Sequence, residues 1–340
     1  MGMTRREFGM VASAVLLAGS PVHAAPAEAK RVSLVLAPSN LGLRPENGRQ
    51  PGTWRAPQVL MSAGLRDALD AYEVLRLERP AYEFDAQHHT RIRNGQTIRA
   101  FSLVLSEKVQ DILRAERFPV VIGGDCSILL GCLHGSRLVG GRGLVHVDGH
   151  SDFTQAKSYA TPQTLGAAAG MDLALASGRG EPMLTVWPEI GTPLAEDADI
   201  VQIGERGAEE PWFKQYYGDI LKTEITQLTV QSVLAEGVEA GARRAIARLE
   251  ARRLDKVWLH IDLDVLDQAV MPAVDSPGSP GFNYEQLADL VGALCASGRI
   301  VGANFSIYDP ERDPGAQHAR DLVGCLADGI RRRAALAHAS

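Results

Sequence analysis

The sequence predicts an α/β protein built on a parallel sheet with helices over both faces. Three observations carry this. Short apolar runs alternate with segments of helical period along the chain. Those runs are continuously apolar, as in strands buried on both faces, and do not show the alternation of a half-wet sheet. The main polar motifs fall where apolar runs end, which is where such sheets bind ligands. In order, residues 32–37 read as a first strand, 57–69 as a helix and 98–115 as an amphipathic helix. Residues 118–122 form a short buried strand that ends at Gly123-Gly124. Strands follow at 143–147 and at 200–203, the latter ending at Gly204. A helix rich in Ala and Arg covers 230–249, and a strand covers 256–263. A helix at 283–297, a strand at 300–307 and a last helix at 315–337 complete the pattern.

The chain has 340 residues and is 45% hydrophobic, which suffices for a large core. The formal net charge of -6 and the lack of a long basic run argue against a nucleic-acid partner. Beyond the N-terminus no stretch of about 20 apolar residues predicts a membrane span. The N-terminus itself reads as separate from the fold. Arg5-Arg6 precedes an apolar stretch from Met10 to Gly19, and Val22-His23-Ala24 supplies a small-x-small cleavage pattern. This resembles a twin-arginine export signal over residues 1–24, with a periplasmic or secreted destination. Residues 25–340 then form one domain, without linker or repeat. An oxidising destination permits disulfides among Cys126, Cys132, Cys295 and Cys325, but spacing does not assign them.

Three motifs carry chemistry. Gly123-Gly124-Asp125-Cys126-Ser127 follows a strand, and its two glycines allow a tight turn against a site. In His146-Val147-Asp148-Gly149-His150-Ser151-Asp152, the residues Asp148, His150 and Asp152 recur at intervals of two, so an extended chain presents them on one face. In His260-Ile261-Asp262-Leu263-Asp264, the same spacing aligns His260, Asp262 and Asp264. Four carboxylates at two strand ends repel one another unless cations neutralise them. A mixed Asp and His set suits divalent manganese, zinc, iron or nickel.

These motifs, in this order, resemble those of the arginase/agmatinase (ureohydrolase) superfamily. The resemblance extends to Leu41-Gly42-Leu43-Arg44, Ala56-Pro57, Gly204-Glu205-Arg206 and the loop 272–281, and so covers about residues 31–335. It implies an arginase-type three-layer sandwich around a mainly parallel sheet. It implies two divalent ions, manganese first, with Asp148 and Asp262 shared between them. Cys126 and Asp152 would complete one ion's shell, and His150 and Asp264 the other's. A water activated between the ions is the implied nucleophile, with Asp152 taking its proton. The implied substrate is a small guanidino compound cleaved at a C–N bond, and the implied assembly is a homo-oligomer. Asp267 fits a structural role in the following loop.

Three departures from the family pattern bear on the substrate. Cys126 stands where the family has a His ligand; it is either a thiolate ligand, which admits zinc, iron or nickel, or a small buried thiol. Ala169 of Ala169-Gly170-Met171 stands where many arginases have a proton-shuttle His. His260, on the ligand face, is a candidate to replace it, or else a hydrogen-bonded residue behind the ligands. Ile307 stands where the family has a Glu that pairs with the guanidinium, and Asp309 compensates only if its loop is displaced. Together these resemble hydrolases that convert N-omega-hydroxy-arginine to hydroxyurea and ornithine. The alternatives are an arginase- or agmatinase-like enzyme for another guanidino substrate, and a catalytically impaired ligand-binding relative. A single-zinc deacetylase would need paired histidines, which the sequence does not announce. His88-His89 reads as a surface loop, and Tyr308 as either a pocket or a core residue.

Overall fold

The computed structural model describes residues 30–155 and 164–332. The expected signal at 1–24 lies outside them. Among the described residues, one sheet holds β1 (Val32–Ala37), β2 (Glu73–Arg76), β3 (Phe118–Gly123), β4 (Gly143–Val147), β5 (Ile200–Ile203), β6 (Thr226–Leu228), β7 (Val257–Asp262) and β8 (Ile300–Ser306). Its order is β2-β1-β3-β8-β7-β4-β5-β6, and these strands pair in parallel throughout. The chain fills one half of the sheet with β1 to β3, starts the other half at β4, and closes the gap last with β7 and β8. The four central strands β3, β8, β7 and β4 are therefore neighbours whose following loops meet at one place.

Helices cover both faces, giving three layers. Ala56–Ser62, Val238–Ala251, Tyr284–Ala296 and Gln317–Arg331 pack on one face, around Val120, Val145 and Leu259. Gly95–Arg114, Ile128–Arg137 and Asp172–Ala176 pack on the other, around Val121, Leu144 and Trp258. The six continuously apolar strands are as the sequence predicts. The two edge strands, β2 and β6, are additions: Glu-Val-Leu-Arg and Thr-Gln-Leu are short, polar and partly exposed, so they lack the apolar signal of a buried strand. Ile128–Arg137 is a further addition. It is buried nearly all round, so it has no polar stripe to mark its period. It sits close to Gly95–Arg114 because Gly131 and Gly135 carry no Cβ; a Cβ at Gly131 would lie 2.7 Å from the Ser102 carbonyl oxygen.

Two predicted helices are each broken. The 57–69 helix is interrupted at Gly64, whose φ of +97° ends one helix and begins Leu65–Ala68. The 230–249 helix divides at Gly237, φ +90°, into Val230–Glu236 and Val238–Ala251. In both cases the glycine adopts a backbone conformation that costs other residues energy. All four cysteines are buried and none forms a disulfide.

Candidate metal centre

The register of the central strands builds the site. β4 and β7 pair His146 with His260 and Val147 with Ile261, and β7 and β8 pair His260 with Asn304 and Asp262 with Ser306. Strands about 4.8 Å apart then stack like residues in rows. The imidazoles of His146 and His260 accordingly stack with centroids 4.7 Å apart and planes 19° apart. Two residues further along the same face, Asp148 and Asp262 emerge side by side at the sheet's end. Each folds the backbone that follows it: Asp148 Oδ1 accepts from the His150 amide at 2.6 Å, and Asp262 Oδ1 accepts from the Asp264 amide at 2.8 Å. Those turns bring His150 and Asp264 together, with Nδ1 to Oδ2 at 2.9 Å. The Gly149 amide donates to Asp264 Oδ1 at 3.2 Å and ties the two loops.

The third loop follows β3. A Cβ at Gly124 would stand 1.6 Å from the Ser39 carbonyl oxygen, so only glycine permits this approach. Asp125 is a fastener rather than a ligand. Its carboxylate accepts from Ser39 Oγ at 2.6 Å, the Ser127 amide at 2.9 Å and the Gly42 amide at 3.1 Å. That arrangement turns Cys126 inward, where its thiol donates to Asp262 Oδ2 at 2.5 Å.

The site's charges divide into two kinds. Burial, and then the nearest carboxylates (Asp152 for Asp148, Asp172 for Asp152, Asp264 for Asp262), push the carboxyls of Asp148, Asp152 and Asp262 well above the usual carboxylate range. Burial, and then Asp262, push the Cys126 thiol up as well. Asp264 is different. Burial works against its anion, but His150 and the Arg206 guanidinium hold its carboxyl below the ordinary value. His150 is raised in return: burial disfavours its cation, and Asp264 outweighs that. Asp148 Oδ2 is buried with no hydrogen-bond partner. Three mutually repelling carboxylates, one with an orphaned oxygen, are what a cation site looks like before charge is supplied. The donor atoms suit divalent ions in spacing too. Asp148, His150 and Asp152 lie within 4.8 Å of one another, as do Asp148, Asp262 and Asp264, and Cys126, His260 and Asp262.

Beside them lies a cavity of about 450 Å3, whose wall includes Ala169, Ile307, Tyr217 and Thr154 and whose mouth includes Arg44, Glu46 and Asp275. Cys126, His150, Asp152, Asp262 and Asp264 line it directly. His260 does not. It is completely buried behind the ligand row and touches no space in which a leaving amine would sit. A direct proton donor at this position is therefore corrected to a residue acting through its neighbours. Asp309 does not take the place of the missing Glu either. Its carboxylate accepts from the Gly52 amide at 3.2 Å and the Glu311 amide at 2.9 Å, away from the cavity, which leaves Ile307 as the wall. Ile307 holds φ +77°, rare for a β-branched residue, and its amide donates to the Gly124 carbonyl at 2.6 Å. Tyr308 is a core residue bonded to Asp313 at 2.8 Å. Asp267 is structural, accepting from the Ala269 amide and Ser279 Oγ at 2.9 Å each.

Sequence reasoning missed a buried polar layer beneath the ligands. His146, His260 and Asp172 form it, and all are fully buried. Paired histidines are thus present, contrary to expectation, though they lie behind the ligands and not at the cavity. One signal was available: Asp172 interrupts the small and apolar run from Ala167 to Ala176, where a charged residue must be buried with a partner. Arg206 was also missed. Its guanidinium donates to the Asp264 carbonyl, and Gly149 and Gly278 leave it room.

Residues 30–327 match the Arginase family. An arginase of Bacillus caldovelox is 29% identical over 313 residues, spanning 87% of this chain and 98% of that protein. The solved structure of a Bacillus caldovelox arginase superposes with a TM-score of 0.73 at 26% identity, covering 88% of this chain and 98% of that one. The proclavaminate amidino hydrolase of Streptomyces clavuligerus, at 18% identity, shares the fold, with a TM-score of 0.64 over 92% of this chain and 95% of that one. The chain belongs to the arginase family, and it is a hydrolase of C–N bonds other than peptide bonds.

Proposed function

We propose that this protein is a two-metal hydrolase of a guanidino-type C–N bond, with N-omega-hydroxy-arginine as the favoured substrate. The observation that carries the metal reading is the convergence of Asp152, Asp262, Asp264, Cys126 and His150 on one cavity floor, with Asp148 buried directly among them. Asp148 and Asp262 would hold both ions, Cys126 and Asp152 one of them, and His150 and Asp264 the other; manganese is the first candidate. Two such ions acidify a water and stabilise charge at the attacked carbon. Asp152, at the cavity floor, would take a proton from that water and return it. His150 has 20% of its side chain exposed and reaches the open side of the site.

The walls favour the substrate reading. Neither Ala169 nor Ile307 can pair with a guanidinium or shuttle a proton. An unsubstituted guanidinium entering here is desolvated without a partner at position 307, a cost of several kcal/mol. A hydroxyguanidine is less basic and needs that partner less. Assaying metal-reconstituted protein with hydroxyarginine, arginine and agmatine tests this. The expected result is a kcat/KM for hydroxyarginine about tenfold or more above the others, a gap of some 1.4 kcal/mol. Equal or better turnover of arginine or agmatine refutes the substrate assignment.

Two further expectations belong to this reading. Export through the twin-arginine route is tested by fractionating cells that express the full chain and its Arg5→Lys, Arg6→Lys variant; identical distribution refutes it. Homo-oligomerisation is tested by light scattering of the purified protein, and a monomer at micromolar concentration refutes it. No described helix is long and apolar enough to cross a membrane.

A further inference from the structure

The buried layer beneath the ligands has an internal order that can be read bond by bond. Trp258 Nε1–H, which can only donate, donates at 2.7 Å to Asn304, so the atom it meets is Oδ1. The amide nitrogen of Asn304 then faces His260 Nδ1 at 2.7 Å and donates to it. An imidazole whose Nδ1 accepts is neutral and carries its proton on Nε2. His260 Nε2 is therefore an N–H and not a free lone pair. Despite its nearness to Cys126 and Asp262 it is unsuited to bind a cation.

That N–H faces Asp172 Oδ2 at 3.5 Å, and His146 Nε2 meets Asp172 Oδ1 at 3.2 Å. The carboxylate is held between two imidazoles. Its Oδ2 is nonetheless buried without a hydrogen-bond partner. An Asp172 oxygen, Cys126 Sγ and an Asp152 oxygen lie within 4.8 Å of one another, the same closeness that marks Asp148, His150 and Asp152. An unpaired carboxylate oxygen in full burial is costly and calls for a positive partner.

We propose that Asp172 is a ligand of the cation at the Cys126 position, oriented by His146 and His260. The Cys126 position then differs in kind from its neighbour. It is built from a sulfur and several carboxylates, with the imidazoles of His146 and His260 one layer behind against Asp172; the other position keeps an imidazole, that of His150, as a direct donor. Supporting imidazoles and the carboxylate they hold have exchanged their usual order.

This inference rests on the two-metal reading but on no choice of substrate. The deciding experiment is anomalous diffraction from full-length wild-type protein loaded with zinc alone. The expected result is an ion at Cys126 with an Asp172 oxygen within about 2.0–2.2 Å. An ion at Cys126 with Asp172 outside bonding distance overturns this inference alone. Absence of any ion from both positions overturns the two-metal reading as well, and an ion only at His150 and Asp264 overturns this one. Asp172→Asn gives a second readout, by zinc titration against a chelator with the thermal melt recorded beside it. The expected loss falls on one of the two ions and is at least about tenfold, the lower end of what supporting residues alone cause. Equal weakening of both ions marks Asp172 as a mere nearby charge and overturns the proposal. If Asp172→Asn does not fold, the wild-type diffraction result stands by itself.

Discussion

The two halves of the candidate metal centre solve the same electrostatic problem in opposite ways. On one side, Asp264 is paired with His150 at 2.9 Å and approached by Arg206, so its charge is already balanced by protein cations. On the other, Asp152, Asp172 and Cys126 share full burial, which raises all three, and neighbouring carboxylates add to the rise of Asp152 and Cys126. The first half is assembled by folding alone. The second keeps buried acid groups that the proposed cation would balance. Metal loading should therefore matter more to the stability of the Cys126 half than to the shape of the His150 half.

The largest expected effect comes from the residues both halves share. Asp262→Asn should reduce kcat/KM by about 10³-fold or more, the upper scale for losing one electrostatic contact to a transition state, and should lower the content of both ions in elemental analysis. Retention of both ions at full affinity would break the symmetry argument that makes Asp262 common property.

The next effect is a stability change with pH. The carboxyls of Asp148, Asp152, Asp172 and Asp262 are raised on folding, Asp172 to about 7. The metal-free native state thus keeps protons that the unfolded chain releases near pH 3.9. Its stability is fully present below that pH and is lost as pH rises towards and through the raised values. Metal-free protein should become less stable between about pH 4 and 7, by several kcal/mol over the cluster. Metal-loaded protein should not. Calorimetry at several pH values with and without metal checks this, and parallel curves would sink it.

A smaller effect probes the buried half alone. Trp258→Phe strands Asn304 Oδ1 and frees the amide to flip, which should cost about 1–3 kcal/mol in denaturant titration. The His260 tautomer should then become mixed in nitrogen NMR spectra. A tautomer unchanged in the variant would mean that something other than Asn304 holds it. At the mouth, the smallest effect is expected. Glu46 pairs with Arg312 at 2.6 Å in the open, so Glu46→Gln should change stability by less than about 1 kcal/mol.

Much of this site is legible in the sequence because its logic is local. The spacing of Asp148, His150 and Asp152, and of Asp262 and Asp264, presents ligands from strand ends without knowledge of the rest of the fold. The six apolar strands are legible for the same reason, since burial on both faces leaves its mark in each residue. β2 and β6 are not, because an edge strand is defined by its neighbour and not by its own composition. The helix at Ile128–Arg137 is hidden by complete burial.

What the sequence by itself determined is the family of the fold, the order of its central strands' motifs and the acidic, His and Cys side chains that meet at the cavity floor. What only the tertiary structure decided is which residues stand behind them. The register of β4, β7 and β8 stacked His146, His260 and Asn304 in one row, and the helix at Asp172–Ala176 delivered Asp172 to them from another part of the chain. It also turned Asp309 away from the cavity and left Ile307 in its wall. The physical reason is range. A spacing of two residues is set by the backbone's own period, whereas a contact between strands or from a covering helix exists only once the sheet has chosen its neighbours.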